Sequence, residues 1–118
     1  MTPFRLALAA VAAVLLLAAP AGAATPVLHG QTGPGFTIGV QLNGKAVKLL
    51  KPGTYMLRVQ DNSSIHNFRL KGPGLNRQVT TVGFVGTKTI KVTLKKGVYT
   101  YQCDPHVAAG MKGTFRVG

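Results

Sequence analysis

The sequence predicts an all-β protein, a Greek-key β-sandwich of about seven or eight short strands. After residue 24, short segments alternate apolar and polar residues, which is typical of half-buried strands. Turns rich in Gly, Pro and Asn separate these segments at regular spacing, and no long segment has a helical period. The roughly 95 residues that follow residue 23 are close to the size of a two-sheet domain of this kind.

The first strands follow from the alternation and from one turn. The Gly- and Pro-rich segment 25–35 is expected to lead in as an edge strand. Residues 36–42 alternate apolar and polar side chains, so they predict a half-buried strand. Asn43-Gly44 is a strong hairpin signal, because both residues tolerate a positive φ. Residues 46–50 are expected to return as the next strand.

Two later passages resemble each other. Residues 50–59 and 94–103 each contain a strand end, a Gly turn and a new strand that carries Tyr55 or Tyr99 near its start. This pattern predicts two tyrosine corners, in which the hydroxyl group bonds to the chain just upstream. The alternative is that turn chemistry simply recurs, since Gly turns are common in β-rich chains.

Alternation also predicts which side chains point into the core. Val79 and Val82 give a weaker strand signal between two clear strands. The predicted inward-facing sets are Tyr55, Leu57 and Val59; His66, Phe68 and Leu70; Ile90, Val92 and Leu94; and Tyr99, Tyr101 and Cys103. These sets form two buried faces, which is what a sandwich needs.

The first 23 residues predict a signal peptide, which leaves residues 24–118 as one domain. Arg5 supplies a positive start, residues 6–19 form an apolar Ala- and Leu-rich run, and small residues surround the cleavage site after Ala23. The alternative is a permanent membrane anchor, for which the apolar run before Pro20 is short.

Cleavage after Ala24 is a second choice for the same signal. Either site predicts an exported protein, periplasmic or secreted, without a stable membrane anchor after cleavage.

The chain is strongly basic. It has 14 Lys and Arg residues against Asp61 and Asp104, a net charge of +12, or +11 once Arg5 leaves with the signal peptide. Such a charge favours acidic partners, whereas a merely solubilising surface is the alternative. Export and the lack of any nucleic-acid-binding motif argue against nucleic acid as a partner.

One segment concentrates the chemistry of the chain. Cys103, His106 and Met111 place a thiolate, an imidazole and a thioether within nine residues. With one more His, this is the ligand set of a mononuclear copper site for electron transfer. A lone Cys in an exported chain has no disulfide partner, and the alternative is a buried, inert Cys.

The pattern Cys-x2-His-x4-Met, with Pro105 before the His and Gly110 before the Met, resembles the copper loop of plastocyanins and related small blue copper proteins, the cupredoxins. The pair His66-Asn67 matches a His-Asn pair of that family. The resemblance implies a cupredoxin-like domain that binds one copper ion. The implied metal ligands are His66, Cys103, His106 and Met111.

The resemblance also implies roles for two neighbouring residues. Asn67 is expected to tie the two ligand-bearing segments together near the Cys sulfur. Pro105 has no backbone N–H to donate to the Cys103 thiolate, so more electron density stays on sulfur and the reduction potential is lowered.

The resulting interpretation is a type 1 (blue) copper protein, a soluble one-electron carrier that cycles Cu(I) and Cu(II). All four ligand positions are filled and carboxylates are scarce, so an enzyme is not expected. One alternative is a periplasmic or extracellular copper carrier or chaperone on the same fold. Another is a cupredoxin-like module without metal, which the complete ligand set disfavours.

The expected partner is an acidic redox protein, such as a cytochrome or an oxidase domain, and the protein is expected to be a monomer. His106 should show its ring edge through an apolar surface patch of Pro105, Val107, Ala108, Ala109 and Pro73. Gln102 stands where photosynthetic plastocyanins have an exposed Tyr, so their docking partner does not carry over. His29 has no partner at ligand spacing, and a second metal contact there is left open.

Overall fold

The computed structural model describes Pro3 and residues 24–118. Apart from Pro3, the predicted signal peptide lies outside the described residues, so it remains a prediction. Within residues 24–118, no helix is long and apolar enough to cross a membrane.

Two five-stranded sheets pack face to face, which confirms the predicted β-sandwich. In sheet order, the first is β3 (Lys45–Ala46), β2 (Ile38–Leu42), β1 (Val27–Thr32), β5 (Gly53–Asp61) and β8 (Gly86–Leu94). The second is β4 (Leu49–Leu50), β10 (Lys112–Val117), β9 (Gly97–Gln102), β6 (Phe68–Gly72) and β7 (Leu75–Thr80). Two of the strands have only two residues, which accounts for the excess over seven or eight. A short 3₁₀ helix (Asp104–Ala109) joins β9 to β10.

The prediction that segment 25–35 forms an edge strand is wrong. β1 lies in the middle of its sheet, antiparallel to β2 and parallel to β5. Its Gly residue has a packing role, because a Cβ at Gly30 would lie 3.0 Å from Val59 and 3.1 Å from Phe68. Gly30 thus lets the two sheets approach closely across the core.

The hairpin after β2 is confirmed, but the strand predicted for residues 46–50 is divided. Asn43 and Gly44 both have positive φ, 51° and 78°, as the hairpin turn requires. β3 then pairs with β2, whereas β4 pairs in parallel with β10 in the other sheet. The chain therefore crosses between the sheets after β3, and the buried Val47 fills the crossing.

Both predicted tyrosine corners are present. The Tyr55 hydroxyl donates to the carbonyl of Lys51 at 2.6 Å. The Tyr99 hydroxyl accepts from the backbone N–H of Lys95 at 2.9 Å and donates to the carbonyl of Pro73 at 3.1 Å. The core between the sheets contains most of the predicted inward set, with Ile90 and Tyr101 only partly buried. Val82, which gave a weaker strand signal, lies beyond β7 and is exposed. Its members include Leu28, Val40, Leu57, Val59, Phe68, Leu70, Val92, Leu94, Tyr99, Phe115 and Val117.

Strand register gathers three loops at one end of the sandwich. β1 and β5 run in parallel and finish together, with Thr32 opposite Asp61. In the other sheet, Gln102 at the end of β9 lies opposite Lys112, at the start of β10. Loops 33–37, 62–67 and 103–111 therefore meet at this end, which we call the loop end. Loops held by a rigid scaffold are where binding sites usually lie.

Candidate metal centre

Three predicted ligands converge at the loop end. Cys103 follows β9 directly, His66 precedes β6, and His106 lies within the 3₁₀ helix. The Cys103 Sγ lies 3.6 Å from His66 Nδ1 and 3.4 Å from His106 Nδ1, and the two Nδ1 atoms are 3.0 Å apart. A triangle of this size has a centre about 2 Å from each corner, close to the bond lengths of zinc with the same ligand atoms. The three side chains therefore fit around a single transition-metal ion.

The orientation of His66 is set by a carbonyl group. Its Nε2 lies 2.6 Å from the carbonyl oxygen of Gly35. A carbonyl oxygen can only accept, so Nε2 carries the proton and donates it. Nδ1 is therefore unprotonated in neutral His66, and its lone pair faces Cys103 and His106. Metal-binding His residues are usually oriented in this way, by a hydrogen bond from the ring nitrogen that does not bind the metal.

Backbone hydrogen bonds fold the segment 103–111 back on itself. The His106 N–H donates to the Cys103 carbonyl at 3.1 Å, and the Met111 N–H donates to the His106 carbonyl at 3.2 Å. The Cys103 N–H in turn donates to the Met111 carbonyl at 3.0 Å. Gly110, at φ 90°, takes the left-handed conformation that ends the 3₁₀ helix. Met111 and Cys103 are both completely buried at the point where the loop closes.

Asn67 joins the loop that carries His66 to the loop that carries Cys103. Its side-chain oxygen accepts from the Asp104 backbone N–H at 2.7 Å. Its amide nitrogen donates to Asp104 Oδ2 and to Gln78 Oε1, both at 2.9 Å. Asn67 is fully buried, and all of these bonds cross between segments distant in sequence. The expected tie between the two segments is therefore present.

Asp104 lies at the centre of this network. Burial acts to raise the pKa of its carboxyl group, but hydrogen bonds from Gln102, Asn67 and Arg69, with the charge of Arg69, outweigh burial and lower the pKa from its ordinary value. Ionised Asp104 therefore stabilises the folded state at pH values above the ordinary pKa of an Asp carboxyl group, and this stabilisation is lost as pH falls through the lowered pKa. The Arg69 ion pair, at 2.9 Å, is partly exposed, so its own contribution is modest.

Phe36 is a site residue that the sequence analysis missed. Its ring meets both imidazoles edge to face, with centroids 5.7 Å from His66 and 5.0 Å from His106. It is nevertheless 58% exposed, so it covers the site as part of the outer surface. The Gly33-Pro34-Gly35 turn indicated a tight loop before it. Nothing in the sequence places that loop beside His66, 31 residues after Gly35.

The predicted apolar patch needs one correction. Pro105, Ala108 and Ala109 are exposed and Val107 is half-buried beside His106, as expected. Pro73, however, packs near Gly97 at the start of β9, at the opposite end of the sandwich from Cys103. The β6–β7 turn that carries Pro73 points away from the loop end because β6 begins there. Phe36 takes its place in the patch.

His29 lies apart from the metal centre. It is exposed in the middle of β1, opposite Gln41 on one side and Arg58 on the other. Among the described residues, only His66, Cys103 and His106 form a group of three or more His, Cys, Asp or Glu side chains able to hold a metal ion.

Comparison with known proteins places this arrangement in context. The sequence profile of the copper binding proteins of the plastocyanin/azurin family matches residues 41–118. Rusticyanin from Thiobacillus ferrooxidans has a similar structure, with a TM-score of 0.57 and 24% identity over 80% of this chain and 77% of that chain. A rusticyanin point mutant gives a TM-score of 0.60, with 22% identity over 80% and 78% of the two chains.

A multi-copper oxidase from Pediococcus acidilactici also contains a similar fold, with a TM-score of 0.54 and 18% identity. The match covers 80% of this chain but only 26% of the oxidase chain, so the protein spans about a quarter of that enzyme. At these identities, the structural likenesses show the fold alone. No curated protein sequence matches the chain significantly.

The bridge made by Asn67 has a measurable energetic consequence. Asn67→Ala removes three partly buried hydrogen bonds, each worth about 0.5–1.5 kcal/mol, so we expect a loss of about 2 kcal/mol in unfolding free energy. Urea unfolding of the metal-free protein measures this loss. Asn76→Ala, which removes one exposed hydrogen bond, is the control and should cost less than about 1 kcal/mol. Equal losses in the two variants would contradict the bridging role.

Proposed function

Because the chain belongs to the plastocyanin/azurin family of copper-binding proteins, we propose that it is an exported carrier of single electrons. Its cofactor is copper, one ion per chain. The observation that carries the proposal is the triangle of one sulfur and two imidazole nitrogens, which lie 3.0 to 3.6 Å from one another. One Cys and two His with a weak axial Met form the ligand set of blue copper sites for electron transfer.

Each proposed ligand has a distinct role. The Cys103 thiolate and the Nδ1 atoms of His66 and His106 would hold the copper ion as the three strong ligands, and Met111 would be a weak fourth ligand. Copper supplies an ion that takes up and gives back one electron. Sulfur ligands suit Cu(I) and imidazoles suit Cu(II), so the mixed set serves both oxidation states.

The protein contributes a rigid and dry setting for these ligands. Cys103 and Met111 are completely buried, and His66 is 1% exposed. The Gly35 carbonyl and Asn67 hold the surrounding loops by hydrogen bonds. Because the Cys103 Sγ and the two Nδ1 atoms already lie 3.0 to 3.6 Å from one another, we expect little rearrangement to oppose the change of charge. No proposed ligand position is left for a substrate, so we infer a carrier and not an enzyme.

Burial also favours electron transfer over copper delivery. An acceptor protein that takes a metal ion must reach its ligands, but the sulfur-bearing residues, Cys103 and Met111, have no exposed surface. His106 is the only proposed ligand that is partly exposed. Electrons can cross through this imidazole and the adjacent Phe36. The copper ion could leave only if loop 103–111 opened.

The proposed partner is an acidic redox protein that docks at the loop end. The charge of +11 without residues 1–23 attracts such a partner. Phe36, Pro105, Ala108 and Ala109 then offer an exposed apolar surface around His106. Electrostatic attraction raises the association rate more than the final affinity, which suits a transient encounter.

The proposal is tested first by colour. The copper-loaded protein should show an intense visible absorption band from charge transfer between the Cys103 thiolate and Cu(II), with reversible voltammetry. Cys103→Ser should abolish the band, because an alcohol is a poor donor for that transition. Circular dichroism checks that the variant is folded, and an unchanged visible spectrum in a folded variant would refute the assignment.

Met111 is expected to tune the site without being needed to hold copper. Met111→Leu removes a long, weak donor, so copper should remain bound at one ion per chain. The reduction potential should rise, because loss of the axial donor destabilises Cu(II) more than Cu(I). Metal analysis and voltammetry measure the two effects. Complete loss of copper from a folded Met111→Leu protein would show that the thioether is a principal ligand.

Docking at the loop end predicts a site-specific salt dependence. The second-order rate with an acidic redox partner should fall steeply between 0.01 M and 0.1 M salt, where the Debye length drops from about 30 Å to about 10 Å. Lys112→Glu, beside Met111, should slow the reaction further. Lys96→Glu changes the same charge in the turn before β9, at the opposite end, and is the control.

Stopped-flow measurements at matched salt decide the outcome. If Lys96→Glu slows the reaction as much as Lys112→Glu, docking is not at the loop end. If the second-order rate of electron transfer does not change with salt concentration while copper passes readily to an acceptor apoprotein, the protein is a copper carrier.

A further inference from the structure

A polar pocket lies on the outer face of the first sheet, on the solvent side of β1, β2 and β5. Its volume is about 260 Å³. Strand register sets its lining side chains in two rows across the sheet. One row is Gln41, His29 and Arg58, and the other is Gly39, Gln31 and Gln60.

Gly39 makes the pocket concave. A Cβ built at this position would meet no atom within 4 Å. The row of Gly39, Gln31 and Gln60 therefore has a gap at Gly39, whereas its other two members carry long side chains. His29, Gln31, Gln41 and Gln60 are exposed and surround the gap. A larger side chain can therefore replace Gly39 without a steric clash. The backbone would not be strained either, because Gly39 does not adopt a positive φ.

The lining is rich in hydrogen-bond donors and has no carboxylate. Arg58 supplies a guanidinium group, His29 a ring nitrogen, and the three Gln residues supply amide groups. Within residues 24–118, the Arg58 side chain makes no ion pair or hydrogen bond. A planar guanidinium without a partner matches carboxylate and phosphate groups, which it binds through two parallel hydrogen bonds.

We propose that this pocket binds a small oxyanion, a ligand that carries a carboxylate or phosphate group on Arg58 and His29. The volume is somewhat below the roughly 300–1,000 Å³ of pockets for drug-sized ligands, so the ligand is small. The amide groups of Gln31, Gln41 and Gln60 would hold its remaining polar atoms. None of the residues that line the pocket is a proposed copper ligand.

The pocket is connected to the metal centre through loop 33–37. Gln31 Nε2 donates to the Gly33 carbonyl at 3.0 Å, and Thr37, also in the lining, donates from Oγ1 to the Pro34 carbonyl at 2.9 Å. The next carbonyl along that loop, Gly35, accepts from His66. A ligand that forms hydrogen bonds with Gln31 or Thr37 would therefore compete with their bonds to loop 33–37, which orients His66.

The test is a titration followed by NMR of backbone amides in the copper-loaded, reduced protein. Inorganic phosphate and succinate are the two probes, each against sodium chloride at equal ionic strength. We expect saturable shifts at His29, Gly39 and Arg58 with one or both probes. A response to phosphate alone identifies a phosphate site, and a response to succinate alone identifies a carboxylate site. Shifts equal to those in chloride would overturn the proposal.

Three variants separate a built site from general attraction to a basic surface. Arg58→Gln and Gly39→Val should each weaken binding at least about tenfold, the first by removing the charge and the second by filling the gap. Arg77→Gln removes the same charge from an exposed position on β7 and should change affinity less than about threefold. Equal effects of Arg58→Gln and Arg77→Gln, with none from Gly39→Val, would leave only non-specific attraction and overturn the proposal.

The same titration on the metal-free protein should give the same affinity ranking, so this test stands even if the electron-carrier function fails. Voltammetry with the stronger probe then measures the connection through loop 33–37. A shift in reduction potential that disappears in Arg58→Gln supports that connection, and binding without any shift refutes it. By linkage, a ligand that shifts the potential must bind the two oxidation states with different affinities.

Discussion

The metal centre depends on one side chain that connects two loops 37 residues apart. Asn67 accepts from the Asp104 backbone and donates to its carboxylate, so the residue after His66 holds the residue after Cys103. Asn67 is buried, and a hydrogen bond that is partly shielded from water is stronger than an exposed one. The thiol and the imidazole are thereby held 3.6 Å apart. The metal site that we propose requires the two groups to stay this close.

The sandwich brings those loops together in the first place. Gly30 leaves room for the Phe68 ring of the other sheet, so the two sheets pack closely in front of the loop end. At the opposite end, the Tyr99 hydroxyl ties the turn after β8 to the turn after β6. The loop end can therefore present ligands and an apolar surface, while the other end serves stability. This division agrees with the general placement of binding sites on loops held by rigid strands.

The charge distribution follows from how the two carboxylates of the domain are used. Asp61 is buried and accepts from the Ser63 N–H, and Asp104 is engaged with Asn67 and Arg69. Neither is free to balance the basic residues spread over the surface. The charged side chains of the outer surface are therefore mostly basic, which favours acidic redox partners at the loop end and a small oxyanion in the pocket around Arg58. Both proposals thus depend on the same scarcity of acidic residues.

Local sequence determined the features that need only neighbouring residues. Alternation predicted the inward faces, the Asn43-Gly44 turn predicted its hairpin, and the segment from Cys103 to Met111 predicted a set of metal ligands. The tertiary structure alone decided what depends on register between distant strands. It placed Phe36 over the imidazoles, turned Pro73 to the far end and made β1 a central strand. It also set Arg58 beside His29 around the gap at Gly39. Such contacts join residues tens of positions apart, and pairing between strands, which local periodicity does not encode, is what brings them together.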